Sequence, residues 1–178
     1  ITTSLEGTLV MIGDLDRILA LSPSGPGARP DDTIRVIALG LAGRREEARE
    51  DLKQFREWPS IRAFQSWTNY LSAWVDGRVA DMLTSMVSLN DTLRIQDDPE
   101  AIFLQGWMLC DVGEHERGLD LLESAVSRSY FVSPTLSARQ FDALRDVPRF
   151  QSLLADAEAG RQMALQAFPD AGGDRVVG

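Results

Sequence analysis

Residues 111–126 read DVGEHERGLDLLESAV, and this stretch decides the fold. It contains a glycine, Gly113, then a polar run, then leucines at helical spacing. It also carries His115, the single histidine of the sequence. Two interpretations compete: an active-site loop around His115, or a turn between two packed helices. The turn is favoured if the same arrangement recurs elsewhere in the chain.

The arrangement around Gly113 does recur at regular intervals. Gly43 in LAGRREEAREDL, Gly77 in WVDGRVADMLTSM and Gly113 are 34 and 36 residues apart. Each lies between two segments of helical periodicity. Gly13 lies 30 residues before Gly43 and is followed by a shorter segment. Glycine suits a tight turn because it adopts positive φ without strain. The spacing therefore predicts a repeated unit of helix, turn and helix.

The best unit, residues 99–132, resembles the tetratricopeptide repeat family, whose period is 34 residues. Pro99 suits a first helical turn, and Gly106 and Gly118 stand where this family brings neighbouring helices close together. Leu122 and Ala125 follow at matching positions. The resemblance implies an all-α fold, an α-solenoid of antiparallel helix pairs with a right-handed superhelix.

The other units match the family less fully. Phe55 in the unit around Gly43, and Tyr70 in the unit around Gly77, stand where small residues are usual. With 178 residues the chain is expected to form a single domain, 1–178. Its predicted parts are a partial repeat at 1–23, a flexible loop at 22–30, repeats at 31–62, 63–98 and 99–132, capping helices at 133–168, and a frayed tail at 169–178.

The segment ARQFDALRDVPRFQSLLADAEAGRQ resembles the sequence that closes tetratricopeptide arrays in bacterial signalling proteins. We expect Pro148 to start a helix with an apolar stripe of Phe150, Leu153, Leu154 and Ala157. A last helix with one polar face would cap a solenoid. The residues that match this ending are Asp142, Leu144, Arg145, Pro148, Arg149, Phe150 and Leu153.

Charge and cysteine content exclude several classes of function. The net charge of −9 disfavours general nucleic-acid binding, single-stranded RNA reading by a helical repeat, and docking on anionic membranes. No apolar run reaches the ~18 residues of a membrane-spanning helix. The single cysteine excludes an internal disulfide and a cysteine-based zinc site. We expect a cytoplasmic protein without metal or cofactor, and, because the chain starts at Ile1, a part of a larger protein.

Single reactive residues have a structural interpretation beside the functional one. His115 lies in HERG, which is not the His-Glu-x-x-His zinc pattern, and we expect a solvated residue at a helix start. Cys110 is expected to be a small core residue rather than a nucleophile. The run GRREEAREDLK is expected to be a solvated helix face held by ion pairs, and DDPE at 97–100 an acidic helix start.

An aromatic stripe is the candidate binding site. Its members on one predicted helix are spaced three, four and three residues apart, and two more follow on the next first helix. In the resembled family, first helices line a concave groove that holds peptides, and aromatic anchors are typical of binding hot spots. A register shift of one residue would instead bury Trp67 and Trp74 in the core. The groove candidates are Phe64, Trp67, Leu71, Trp74, Phe103 and Trp107.

The resemblance implies a protein-interaction scaffold rather than an enzyme. It would bind a protein or peptide partner through the concave face. It would be the C-terminal part of a larger bacterial regulatory protein, such as a nucleotide cyclase or a transcriptional regulator. A homodimer is also compatible with this interpretation. The alternative is a small helical enzyme that uses carboxylates such as Asp111 and Glu114. A cleft with strongly shifted carboxyl pKa values would favour the enzyme, and an open apolar groove would favour the scaffold.

Overall fold

The computed structural model describes residues 5–21, 33–56 and 62–170, and every regular element in these ranges is helical. The predicted all-α class is confirmed. The predicted loop at 22–30 and the tail residues 171–178 lie outside the described residues. Two 3₁₀ helices, Ser133–Ser137 and Arg139–Leu144, precede the last α-helix. The α-helices are α1 Leu5–Met11, α2 Leu15–Leu21, α3 Thr33–Leu41, α4 Arg45–Arg56, α5 Arg62–Val75, α6 Val79–Leu93, α7 Pro99–Asp111, α8 His115–Ser127 and α9 Pro148–Asp170.

The turn glycines have the backbone conformation that the spacing predicted. Gly43, Gly77 and Gly113 have φ values of 81°, 67° and 86°, and Gly13 has 76°. Residues with a side chain rarely adopt this left-handed backbone conformation, so glycine is favoured at each turn. The amide after each glycine donates back to a carbonyl of the first helix, as in Arg44 N to Leu39 O at 2.8 Å. The predicted turns at these glycines are confirmed.

The chain forms two compact units. The first comprises Ile1–Asp98 and the turn Asp111–Gly113, and the second comprises Pro99–Cys110 and Glu114–Gly178. In the first unit α3 packs against α1, α2, α4 and α5, and α5 packs against α6. In the second unit α8 and the 3₁₀ helix Ser133–Ser137 pack against α9. The right-handed superhelix and the repeat boundaries stay predictions.

Small residues let α7 and α8 approach closely in the second unit. A side chain on Gly106 would bring its Cβ within 3.0 Å of the carbonyl oxygen of Gly118. A Cβ on Gly118 would overlap the sulfur of Cys110, which is itself buried. The close approach predicted at Gly106 and Gly118 is confirmed, and Cys110 is a core residue as expected.

Helix α9 begins at Pro148, as predicted, and buries one face. Phe150, Leu153 and Ala157 are buried, whereas Leu154 is half-buried. Gly160 leaves room for the ring of Phe131, because any Cβ there would overlap it. On the polar side of α9, the guanidinium of Arg149, the second residue of this helix, contacts three carboxylates of α8. Arg149 donates to Glu116, Asp120 and Glu123 at 3.1, 2.6 and 2.7 Å.

Candidate functional site

Most of the predicted aromatic groove is core. A groove lined by Trp67, Trp74, Phe103 and Trp107 would leave at least two of them partly exposed, but of these four only Trp67 is. Phe64 and Trp67 are half-buried. The groove assignment is therefore wrong for the members of the stripe that are 0–1% exposed, which are Leu71, Trp74, Phe103 and Trp107.

Burial of Trp74 depends on a glycine of another helix. Its six-membered ring occupies the space that a side chain on Gly40 would need, so α3 and α5 approach closely at this point. The indole Nε1 donates to Oδ2 of Asp111 at 3.0 Å. The guanidinium of Arg45 lies 5.8 Å from the ring centroid and donates to the same carboxylate oxygen at 2.5 Å. Trp74 is thus fixed by packing, a hydrogen bond and a cation–π contact.

Burial of Trp107 and Phe103 depends on the segment that follows α8. The Trp107 indole stacks on Phe141 at 6.3 Å between ring centroids, and its Nε1 donates to Oε1 of Gln140 at 3.2 Å. Phe103 contacts Tyr130, with the ring centroids 5.6 Å apart. The 3₁₀ helix Arg139–Leu144 thus covers the Trp107 side chain, which the groove assignment had placed on an open surface.

The carboxylates of the alternative enzyme interpretation are engaged in structural contacts. Asp111 is 3% exposed at its side chain and accepts hydrogen bonds from Arg45 and Trp74. Glu114 accepts a hydrogen bond from Arg117 at 2.9 Å, one turn further along α8. Both carboxylates therefore already serve as acceptors within the protein.

The carboxyl pKa shifts are also those of ion pairs. Hydrogen bonds from Arg44 lower the pKa of Glu47, and hydrogen bonds from Arg161, Ser133 and Gln162 lower that of Glu158. A lowered pKa keeps a carboxyl group ionised at neutral pH, whereas a general acid needs a raised one. These shifts fit structural ion pairs.

His115 is the first residue of α8 and is half-buried there. The predicted helix start is confirmed, but the residue is half-buried rather than exposed as predicted. Across residues 5–21, 33–56 and 62–170, no group of three or more His, Cys, Asp or Glu side chains could hold a metal ion. In the same ranges no helix is long and apolar enough to cross a membrane.

Two open pockets of the first unit share Ser72 in their lining, and we call the two together the Ser72 cleft. Its smaller part has a volume of about 120 Å³ between α4 and α5, and its larger part about 260 Å³ between α5 and α6. Ser72 lines both parts. The other lining residues are Arg49, Leu52, Lys53 and Asp76 in the smaller part, and Asn69, Ala73, Arg78, Asp81, Thr84 and Ser85 in the larger part.

Ion pairs hold the end of the Ser72 cleft. Asp76 accepts from Arg49 Nε at 2.8 Å and from Arg78 Nε at 3.4 Å, and Arg78 also pairs with Asp81. Partial burial acts to raise the pKa of Asp76, but the hydrogen bonds from the two arginines outweigh it and lower that pKa. Lys53 pairs with Glu50 at 2.7 Å.

Sequence reasoning missed the Ser72 cleft, although a signal was present. Asn69 and Ser72 are three residues apart on the helix that carries the aromatic stripe, and Asp76 follows four residues later in the turn after that helix, so the three form a polar stripe. The polar stripe lines an open surface, whereas most of the aromatic stripe is buried.

Comparison with known proteins leaves the family open. No protein-family model matches the chain. No curated protein and no solved structure matches it either. Membership of the tetratricopeptide repeat family therefore stays a prediction from the residues quoted above.

Proposed function

We propose that the protein is an interaction module that binds a peptide segment or a partner domain, as part of a larger bacterial regulatory protein. The observation that carries the proposal is the repetition of helix pairs around glycines in the left-handed conformation. The contacts of α1 with α3, and of α3 with α5, agree with first helices stacked on one another, as in a solenoid. Helix-pair solenoids serve mainly as extended binding surfaces.

The surface proposed for binding is the Ser72 cleft rather than the aromatic stripe. Buried side chains such as Trp74 and Trp107 cannot reach a partner while the chain stays folded. The Ser72 cleft is open and presents side chains of α4, α5 and α6, three consecutive helices of the first unit. Its lining mixes polar side chains with apolar surface from residues such as Leu52 and Ala73, and such a mixed surface is typical of contacts that form and dissociate rather than of a permanent interface.

Site-specific photo-crosslinking in the native host tests this proposal. A photoreactive phenylalanine analogue replaces Thr84, on the rim of the Ser72 cleft, or Gln151, an exposed residue of α9 that serves as the control. We expect a discrete protein adduct from position 84 and none from position 151. Adducts of equal yield from both positions, or none from either, would contradict an interaction site at this cleft.

A further inference from the structure

The last two described turns of α9 extend beyond the packed part of this helix. Phe150, Leu153 and Ala157 are buried, and Gly160 is the last buried residue before the exposed stretch. Every side chain of residues 162–168, which read QMALQAF, is exposed. We call this stretch the α9 end.

The helix face that packs into the core continues along the α9 end. Steps of four and three residues from Gly160 lead to Ala164 and Ala167, which therefore lie in line with the buried side chains before them. Gln162 and Gln166 lie on the opposite face. The α9 end is thus amphipathic, although no side chain of the described ranges covers its apolar face.

Three large apolar side chains border the line of alanines on the α9 end. Met163 lies on one side of it, and Leu165 and Phe168 lie on the other. They are 64%, 53% and 46% exposed. Single exposed apolar residues are ordinary on a protein surface, but three on one face within two turns form a patch of the kind that marks an interaction site.

The absence of charge on the α9 end favours a second copy of this chain as its partner. A quarter of all residues are charged, yet residues 162–168 contain no charged side chain. The exposed face of α4, in contrast, carries Glu46, Glu50 and Lys53. Two copies related by a twofold axis bring each patch against itself, so a charge near the axis would face a like charge. A different partner of a chain with net charge −9 could use complementary charges instead.

The same composition disfavours a membrane surface as the partner. Helices that lie in the membrane interface usually carry lysine or arginine on the polar face, and the polar face of the α9 end carries Gln162 and Gln166. The net charge of −9 would also be repelled by anionic lipids.

We propose that the α9 end is a dimerisation surface, on which two copies of the chain pair antiparallel about a twofold axis. The small side chains of Ala164 and Ala167 let the two helices approach closely, with the larger apolar side chains closing the edges of the contact. This inference concerns the second unit and does not depend on the Ser72 cleft. Two turns of helix cover less than the ~800 Å² per partner of a standard interface, so we expect a weak dimer that forms at about 10–100 µM.

Sedimentation velocity of the complete chain tests this inference. Between about 5 µM and 1 mM the wild-type protein should shift from the mass of one chain toward that of two. Ala164→Glu should weaken the dimer at least about tenfold, because it places two carboxylates near the twofold axis. Gln162→Glu is the matched control: it adds the same charge to the opposite face of the same two turns and should dimerise like the wild type. Both positions are exposed, so circular dichroism and the melting temperature of each variant at low concentration should match those of the wild type.

A charge-pairing experiment then tests the twofold arrangement itself. Ala164→Glu and Ala164→Lys should each stay monomeric alone, whereas an equimolar mixture of the two should dimerise, because one carboxylate then meets one ammonium group. Four results would overturn the inference: a wild-type chain that stays monomeric throughout this range, a dimer that survives Ala164→Glu, equal loss in Gln162→Glu, or a mixture that remains monomeric.

Discussion

Trp74 in the first unit lies three residues before the turn glycine Gly77, Trp107 in the second lies six residues before Gly113, and both are buried. Their indole N–H groups have different acceptors. Trp74 donates to the carboxylate of Asp111, which also binds Arg45, whereas Trp107 donates to the neutral amide of Gln140. The same requirement, a partner for a buried donor, is met by a charged cluster in one unit and by a neutral contact in the other.

The comparison extends to a second buried aromatic side chain of the first unit. The hydroxyl of Tyr70 is buried and, among the described residues, has no hydrogen-bond partner. An unpaired buried hydroxyl lowers stability, because water would have satisfied it in the unfolded chain. The first unit therefore combines one strongly satisfied aromatic group with one that is unsatisfied, which shows that burial and polar satisfaction are separate constraints.

The largest expected effect comes from removing the two tryptophans. Trp74→Ala and Trp107→Ala should each lower the free energy of unfolding by about 3–5 kcal/mol, since each deletes a fully buried ring. Chemical denaturation followed by circular dichroism measures this loss. Trp67→Ala is the control: this ring is half-buried, so its removal should cost clearly less. A loss below about 1 kcal/mol for Trp107→Ala would contradict its place in the core.

The next largest effects should come from removing the acceptors of the two indole N–H groups, and the two losses of stability should differ in size. Asp111→Ala leaves the guanidinium of Arg45 without its carboxylate and the Trp74 N–H without an acceptor. We expect a loss of about 2–3 kcal/mol, below the full value for a buried ion pair because the Arg45 side chain is 28% exposed.

Gln140→Ala leaves one neutral N–H unpaired, and we expect a smaller loss of about 1–2 kcal/mol. Thermal unfolding of both variants at low and high salt separates the two kinds of partner. High salt should lower the melting temperature of the wild-type protein more than that of Asp111→Ala. It should not change the difference in melting temperature between the wild type and Gln140→Ala. Equal losses with equal salt dependence would mean that the charged cluster brings nothing beyond the neutral contact.

Sequence patterns could predict the helix pairs because the signal is local. Gly43, Gly77 and Gly113 fix the turns through their own φ values, and the apolar spacing around them fixes the helices. Gly106 and Gly118 could be recognised in the same way, since two small residues on consecutive helices favour close approach. Each of these predictions depends on residues within one unit of about 34 residues.

The fate of the aromatic stripe could not be predicted, because it depends on distant residues. Spacing correctly placed Leu71 and Trp74 on one face of a helix, but it could not say what covers that face. Trp74 is buried because Gly40, on another helix, has no side chain. Trp107 is buried under Gln140 and Phe141, from a segment with no strong periodicity of its own.

A smaller effect is expected where α7 and α8 meet in the second unit. Gly118→Leu should lower the free energy of unfolding by about 1–3 kcal/mol, since any Cβ there overlaps Cys110 and the added side chain must displace its neighbours. Arg117→Leu, at the preceding exposed position, is the control and should change stability little. An unchanged melting temperature for Gly118→Leu would mean that α7 and α8 do not approach each other closely at Gly118.

The smallest effect at neutral pH, and the most specific, concerns Tyr70. Tyr70→Phe removes the unpaired hydroxyl and should stabilise the protein by about 1 kcal/mol at pH 7. Burial raises the pKa of Tyr70 above its ordinary value of 10.0. In the unfolded chain the phenol ionises near pH 10, whereas in the folded chain it stays protonated, so the unfolded state binds fewer protons above that pH. Stability should therefore fall as pH rises above about 10, by up to ~1.4 kcal/mol per pH unit from this one group.

Tyr70→Phe should lack this contribution, so its stability advantage should widen between about pH 10 and 11.5, while the other titrating groups affect both proteins equally. Parallel pH profiles would show that the Tyr70 hydroxyl reaches water or a hydrogen-bond partner in the folded protein, and the contrast between the two units would then reduce to the acceptors of their tryptophans.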